Sequence, residues 1–202
     1  MPPLLTRILA PLLLVALAAC TKPVVYEPDE AVFAARYVHD GPAEIRLFNV
    51  VSNESGTGEH AALLINAGER VLFDPAGSWQ HPLSPEQHDV HFGMNDAMVH
   101  VYTHYHARRT HHVRIQTLEL SPEVAARILQ LARQAGPVPD AHCARAIAQI
   151  LTRLPGFEGL PVTYYPNRLS DAFAELPGVR EERIYSDREP TAQQQYAPRP
   201  AL

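Results

Sequence analysis

Three side chains of this sequence have the chemistry required for nucleophilic catalysis: Cys143, His60 and Asp74. A thiolate can attack a carbonyl carbon, an imidazole can take up and return the proton, and a carboxylate can orient the imidazole. The chain has one other cysteine, Cys20, which lies in a signal-like N-terminal segment. In an exported protein a single remaining thiol is either a small buried apolar side chain or a reactive group.

His60 and Asp74 flank a predicted β-hairpin. Two short apolar runs surround a polar segment that contains Gly68, a pattern typical of two strands and a tight turn. A turn centred on Ala67 and Gly68 pairs Ala61 with Asp74 and leaves His60 beside that pair. The pattern therefore predicts that a histidine and a carboxylate meet at the open end of the hairpin.

Cys143 is predicted in the first turn of a helix that begins with Pro139 and Asp140, with Asp140 as its cap, and continues to Leu154. The unpaired N–H groups and the positive end of the dipole at a helix N-terminus favour a thiolate. A preceding helix is predicted to start at the cap Ser121 and to end at 136–137.

The remaining elements indicate an α+β fold, with a small antiparallel sheet packed against helices. Residues 44–51 alternate as a strand, and residues 97–105 and 111–120 are predicted as two further strands around a bend. A short helix is predicted over 29–37, with Asp29 as its cap. The chain left after the signal has about 180 residues, enough for a single core.

The N-terminus resembles a bacterial lipoprotein signal. An apolar run ends in Leu17-Ala18-Ala19-Cys20, which is similar to the lipobox. The resemblance implies export, cleavage before Cys20, lipid attachment to that cysteine, and a periplasm-facing envelope location that favours the outer membrane. An ordinary signal peptide and an uncleaved anchor are the alternatives.

This organisation divides the chain into four parts. We expect a signal peptide at 1–19, a lipidated tether with the short helix at 20–40, one domain at 41–189 and a disordered tail at 190–202. Without the signal, which contains one arginine, the chain has 16 basic and 22 acidic residues, a net charge of about −6. This balance, without a basic stripe, argues against nucleic acid as a partner.

The order and spacing of several segments resemble the circularly permuted branch of the NlpC-type papain-like superfamily. Members open with a histidine at the head of a strand, and the next strand supplies a polar orienter. A strand-to-helix unit and a helix with the nucleophile follow, and many members then carry a Thr-Pro-x-x-Leu stretch. The matching segments are EHAALLI at 59–65, VLFD at 71–74, LELSPEVA at 118–125, HCARAI at 142–147 and YPNRL at 165–169.

The resemblance implies a permuted papain-like fold with Cys143 as nucleophile, His60 as general base and Asp74 as orienter, and no cofactor. It implies hydrolysis or acyl transfer of an amide or ester through a thioester on Cys143. A peptidoglycan peptide is the default substrate, and a lipid or acylated protein is the other. Relatives often have Asn or Asp before the cysteine and Ser or Thr after it, whereas this chain has His142 and Ala144.

Two other functions are compatible with the sequence. The first is an envelope lipoprotein that keeps the fold as a non-catalytic binding or scaffold module. The second is a metal-binding lipoprotein, because His100, His104 and His106 share strand parity with Tyr102 and would lie on one face. Imidazole groups suit zinc or copper.

Overall fold

The computed structural model describes residues 25–189, which form an α+β domain with a seven-stranded antiparallel sheet and five helices. The strands are β1 (Glu44–Ser52), β2 (Gly58–Asn66), β3 (Arg70–Phe73), β4 (Glu86–Gln87), β5 (Val90–His91), β6 (His111–Glu119) and β7 (Arg180–Ile184). The helices are α1 (Asp29–Ala35), α2 (Asp96–His106), α3 (Pro122–Gln134), α4 (Cys143–Leu151) and α5 (Pro166–Ala174). The strand order is β4-β5-β3-β2-β1-β6-β7.

Apolar side chains cover both faces of the sheet, because alternate residues of the central strands point to opposite sides. Ile45 and Leu47 of β1 join a core formed with α3, α4 and α5. Phe48 of the same strand joins a second core that contains Met98 and Tyr102 of α2. The alternation predicted for 44–51 is confirmed, and the sheet lies between three helices on one face and α2 on the other.

The hairpin formed by β2 and β3 has a register one residue away from the predicted one. The strands pair Leu63 with Phe73 and Asn66 with Arg70, around a turn in which Gly68 has a φ of 73°. The predicted pairing of Ala61 with Asp74 is therefore wrong. A three-residue connection replaces the two-residue turn because Gly68 can take the left-handed conformation at the middle of the loop.

Residues 97–105 form most of helix α2, so the predicted strand is wrong. The side chain of Asn95 accepts a hydrogen bond from the N–H of Met98 at 2.9 Å and caps the helix. This cap and the burial of Met98 and Tyr102 against the sheet outweigh the β-branched residues of the segment. His100, His104 and His106 therefore do not share a strand face.

The predicted cap of α3 is confirmed, whereas the predicted cap of α4, the helix that contains Cys143, is wrong. Ser121 caps α3 by accepting from the N–H of Val124, as expected. Helix α4 begins at Cys143 itself, with His142 at the cap position, so Asp140 as cap is wrong. Ala141 has a φ of 62°, which interrupts a helical path between Asp140 and Cys143. Cys143 nevertheless lies in the first turn, as predicted.

The N-terminal part of the described chain contacts the domain. Glu27 N–H donates to Glu86 O at 2.9 Å, and Tyr26 pairs with Gln87. Helix α1 begins at Asp29 behind Pro28, so Asp29 is the first helical residue rather than the cap. These contacts begin at residue 25, within the region assigned to the tether. Across residues 25–189 no helix combines the length and apolar character needed to cross a membrane.

Candidate active site

His60 and Asp74 form a direct hydrogen bond at the end of the sheet. The Nε2 atom of His60 lies 2.6 Å from Oδ1 of Asp74. The hydroxyl of Tyr102 donates to the same oxygen at 2.8 Å. The carboxylate is fully buried, and the His60 side chain is 16% exposed. Asp74 thus orients the imidazole and is itself held by Tyr102.

The observed hairpin register explains how the two side chains meet. With Leu63 opposite Phe73, the next residue, Asp74, continues towards Ala62, on the face of β2 that also carries His60. The N–H of Asp74 donates to Asp89 O at 2.8 Å, which fixes the chain as it leaves β3. Gly77 then packs against the Asp74 carboxylate so closely that a Cβ atom there would collide with it.

Cys143 reaches His60 from the other side of the strand. It packs in the same core as Ala61, and His60 and the N–H groups of Ala61 and Ala144 are near enough to lower the pKa of its thiol. A β-bulge between Val50 and Val51 displaces the pairing at the start of β2, and such an irregularity can turn a strand-end side chain towards a neighbouring element. Because Nε2 of His60 contacts Asp74, Nδ1 is the nitrogen left for the thiol.

The electrostatics of the three groups favour a thiolate beside an imidazolium. Burial alone lowers the pKa of His60, but the charge and hydrogen bond of Asp74, with a contribution from Cys143, raise it to about 10. Burial raises the pKa of the Cys143 thiol, but His60 and the N–H groups of Ala61 and Ala144 outweigh burial, and the pKa is lowered. Asp74 keeps its charge because His60 outweighs burial and holds the pKa of this carboxyl well below its usual range.

A second histidine, His106, lies against the first. The two rings are stacked with centroids 5.5 Å apart, and Tyr102 meets His106 edge-on at 4.8 Å. Burial, followed by the positive charge of His60, lowers the pKa of His106 to about 3. His106 is therefore neutral at pH 7 and gives His60 an aromatic neighbour without a competing charge.

The sequence reasoning did not identify Tyr102 or His106 as neighbours of the predicted triad. Their spacing of four residues places them on one helix face, which becomes visible only when 97–105 is assigned to a helix. Asn95 before Asp96 was the available signal for that helix start.

The other predicted site residues lie elsewhere or outside the described chain. His100 and His104 have ring centroids 4.0 Å apart, on a different side of α2 from His106. Within residues 25–189 no cluster of three or more His, Cys, Asp or Glu side chains is arranged to hold a metal ion. Cys20 and the tail at 190–202 lie outside the described residues.

A scan against protein-family models, a search of curated proteins and a search of solved structures found no match to this chain.

Proposed function

We propose that this protein is a thiol-dependent hydrolase or acyltransferase that acts on an amide or ester bond. One observation carries the proposal: Cys143, the first residue of α4, lies close enough to His60 for the imidazole to lower the pKa of its thiol, and Nε2 of His60 contacts Asp74 at 2.6 Å. A nucleophile, a proton carrier and an orienting carboxylate are thereby connected in series. This series is the minimum required for acyl transfer through a covalent intermediate.

In the first half of the reaction, the Cys143 thiolate attacks the carbonyl carbon and the carbonyl π electrons move to oxygen. The N–H groups in the first turn of α4 have no intrahelical acceptors, so they can stabilise this oxyanion. The tetrahedral intermediate then expels the amine or alcohol, which takes the proton of the His60 imidazolium. A thioester on Cys143 and a neutral His60 remain.

In the second half, His60 accepts a proton from water or from an acceptor nucleophile as that group attacks the thioester. Collapse of the second tetrahedral intermediate releases the acid or the transferred acyl product and restores the Cys143 thiolate and the His60 imidazolium. Asp74 stays ionised throughout and acts as a positioning residue that stabilises the charged ring. Tyr102 is neutral in this scheme because burial and the nearby Asp74 raise its pKa well above the usual value.

We further propose a permuted papain-like arrangement for the domain and a lipid anchor at Cys20 in the cell envelope. The order of His60, Asp74 and Cys143 along the chain, with the nucleophile on a helix that packs on β2, supports the arrangement.

Four residues separate Cys20 from the first described residue, so an anchor there would hold the domain close to the membrane. A peptidoglycan peptide is the first substrate to test, and a lipid or acylated protein is the second.

One observation favours a non-catalytic role: Cys143 is only 4% exposed. A thiol that substrate cannot reach would leave the domain as a binding or scaffold module. The rate of thiol alkylation distinguishes the two functions, because a small alkylating agent reports both accessibility and ionisation of the sulfur.

The test measures the iodoacetamide reaction rate of Cys143 against pH, using soluble protein that starts at Thr21. We expect a rate plateau that begins well below pH ~8.5, the ordinary pKa of a thiol, and that is lost in His60→Ala. His100→Ala, which changes an exposed histidine of α2, serves as the control and should behave like the parent protein. Incubation with p-nitrophenyl acetate should then leave an acetyl group on Cys143, detectable by mass spectrometry. An ordinary thiol titration that His60→Ala does not change would overturn the proposal.

A further inference from the structure

A cleft of about 410 Å³ is lined by His60. His60 and Glu59 from the start of β2 line one side, and Gly77 lies in the loop after Asp74. His106 and Arg108 at the end of α2 form another part of the wall. His60 therefore both interacts with the Cys143 thiol and lines this cleft. A substrate bound with its carbonyl at Cys143 would extend into the cleft past His60.

Arg108 is a buried cation in this wall. It is 8% exposed, and its Nε atom has no hydrogen-bond partner within residues 25–189. Its backbone is fixed, because Arg108 N–H donates to His111 O at 2.9 Å and His111 N–H donates back to Arg108 O at 3.0 Å. A buried guanidinium nitrogen without an acceptor is costly unless a ligand supplies one.

His106 adds a second nitrogen of the same kind. Its Nε2 atom is also buried and has no partner within the described part of the chain. Because His106 is neutral, this nitrogen donates a hydrogen bond in the tautomer that carries the proton on Nε2. The charge of Arg108 contributes to the low pKa of His106, which places the two groups within electrostatic range of each other.

Within residues 25–189, no carboxylate forms an ion pair with Arg108. Glu59, the acidic residue in the lining, accepts from His111 Nε2 at 2.9 Å. The charge of His60 is matched by Asp74. Arg188 adds positive potential near Arg108, since burial and then Arg188 lower the pKa of the Arg108 guanidinium. An arginine remains charged at neutral pH under these conditions.

We propose that this cleft binds a carboxylate group on the leaving-group side of the substrate, with Arg108 as its ion-pair partner and His106 as a second donor. The inference rests on the proposed function and narrows its substrate to amides or esters whose leaving group carries a carboxylate, such as peptides. A guanidinium fits the two oxygens of a carboxylate with parallel hydrogen bonds. A single negative charge suits the site better than a phosphate dianion, because Glu59 lies in the same lining.

The experiment compares two alkylating agents that share a warhead and differ in one charge, N-iodoacetylglycine and N-iodoacetylglycinamide. Each is reacted with soluble protein that starts at Thr21, and the ratio of the two rates at Cys143 is measured. We expect the anionic reagent to be favoured about tenfold or more, as for a charge-assisted hydrogen bond. Arg108→Gln should abolish the preference, and dividing each rate by the rate of neutral iodoacetamide with the same variant removes any change in the intrinsic reactivity of the thiol.

Arg109→Gln is the matched control, because Arg109 is the next residue, carries the same charge, is 65% exposed and pairs with Glu189. It should keep the full preference. An unchanged ratio in Arg108→Gln, or no preference in the parent protein, would overturn the inference. If the parent protein still shows a plateau in the iodoacetamide rate below pH ~8.5, either of these results leaves the proposed function intact. If the parent protein shows no such plateau, the proposed function itself is contradicted.

A second measurement does not depend on a reactive thiol. In Cys143→Ala, the ring resonances of His106 should shift when N-acetylglycine is added and should stay unchanged with N-acetylglycinamide. The same shift in Cys143→Ala combined with Arg108→Gln would contradict the assignment of Arg108. No shift with either compound would contradict the carboxylate site as a whole.

Discussion

Replacement of Asp74 by Asn removes the charge that keeps His60 protonated, while it preserves the size of the side chain. In the parent protein the pKa of His60 is about 10, although burial alone would lower it from its ordinary value of 6.5. Without the Asp74 charge, burial prevails and the buried ring is neutral at pH 7. The Cys143 thiolate then loses its main counter-charge, and the pKa of the thiol returns towards or above about 8.5.

The expected size of the effect follows from ionisation. At pH 6 a thiol with a pKa of about 8.5 is ionised to roughly one part in three hundred, so the lowered pKa of Cys143 can raise its ionised fraction by at most about three hundredfold. A thiolate of higher pKa is intrinsically more nucleophilic, and this offsets up to about half of the logarithmic loss. We therefore expect iodoacetamide to react with Asp74→Asn between about ten and about three hundred times more slowly at pH 6.

The assay follows pseudo-first-order alkylation of Cys143 from pH 4 to pH 9, with circular dichroism to confirm the fold of each variant. Asp171→Asn is the control, since that carboxylate is 70% exposed and pairs with Arg114 away from the site. The difference between Asp74→Asn and the parent should shrink as pH approaches 9, where an unassisted thiol ionises. A rate at pH 6 within about threefold of the parent value would refute the role of the Asp74 charge, because that change is far smaller than ionisation requires.

Two further predictions concern acid stability and location. His106 is neutral in the fold, with a pKa of about 3 against 6.5 for an ordinary histidine. Between these two pKa values the unfolded chain binds one proton more than the folded chain. The free energy of unfolding therefore falls as pH falls from 6.5 towards 3, by at most about 1.4 kcal/mol per pH unit for this group. His60, charged in both states below pH 6.5, does not contribute there. His106→Phe should lose less stability than the parent between pH 6.5 and pH 5 in urea unfolding, and equal losses would contradict the burial of a neutral His106. Cys20→Ser should move the protein from the membrane fraction to the soluble fraction of cells that express the full chain, and retention on membranes would contradict lipid anchoring at that residue.

The hairpin shows how far local sequence determines a structure. The apolar runs and Gly68 were sufficient to predict two strands and a turn, and to place His60 and Asp74 at one end. They did not specify whether the connection has two or three residues, because both conformations are compatible with a glycine at this position. In the observed register Leu63 pairs with Phe73, and the residues of β2 from Ala61 to Ile65 are buried on both faces of the sheet. Burial on both faces therefore determined the register.

The segment at 97–105 shows the opposite case. Alternating Val99, Val101 and Thr103 resemble a strand when considered alone. The cap at Asn95 and the burial of Tyr102 in the core beneath α2 favour a helix instead. Tertiary packing thus overrode local preference and, as a consequence, brought Tyr102 to Asp74.

The sequence by itself determined the residue types available for chemistry, the signals that start α3, the alternation of β1 and the α+β class. These depend on neighbours in the chain, whose spacing sets which side chains share a face. Only the tertiary structure decided that the thiol of Cys143 meets His60, that Tyr102 and His106 complete its surroundings, and that Arg108 lines the adjacent cleft. Those contacts join elements far apart in sequence, and they depend on sheet register and helix packing, which local preferences leave undetermined.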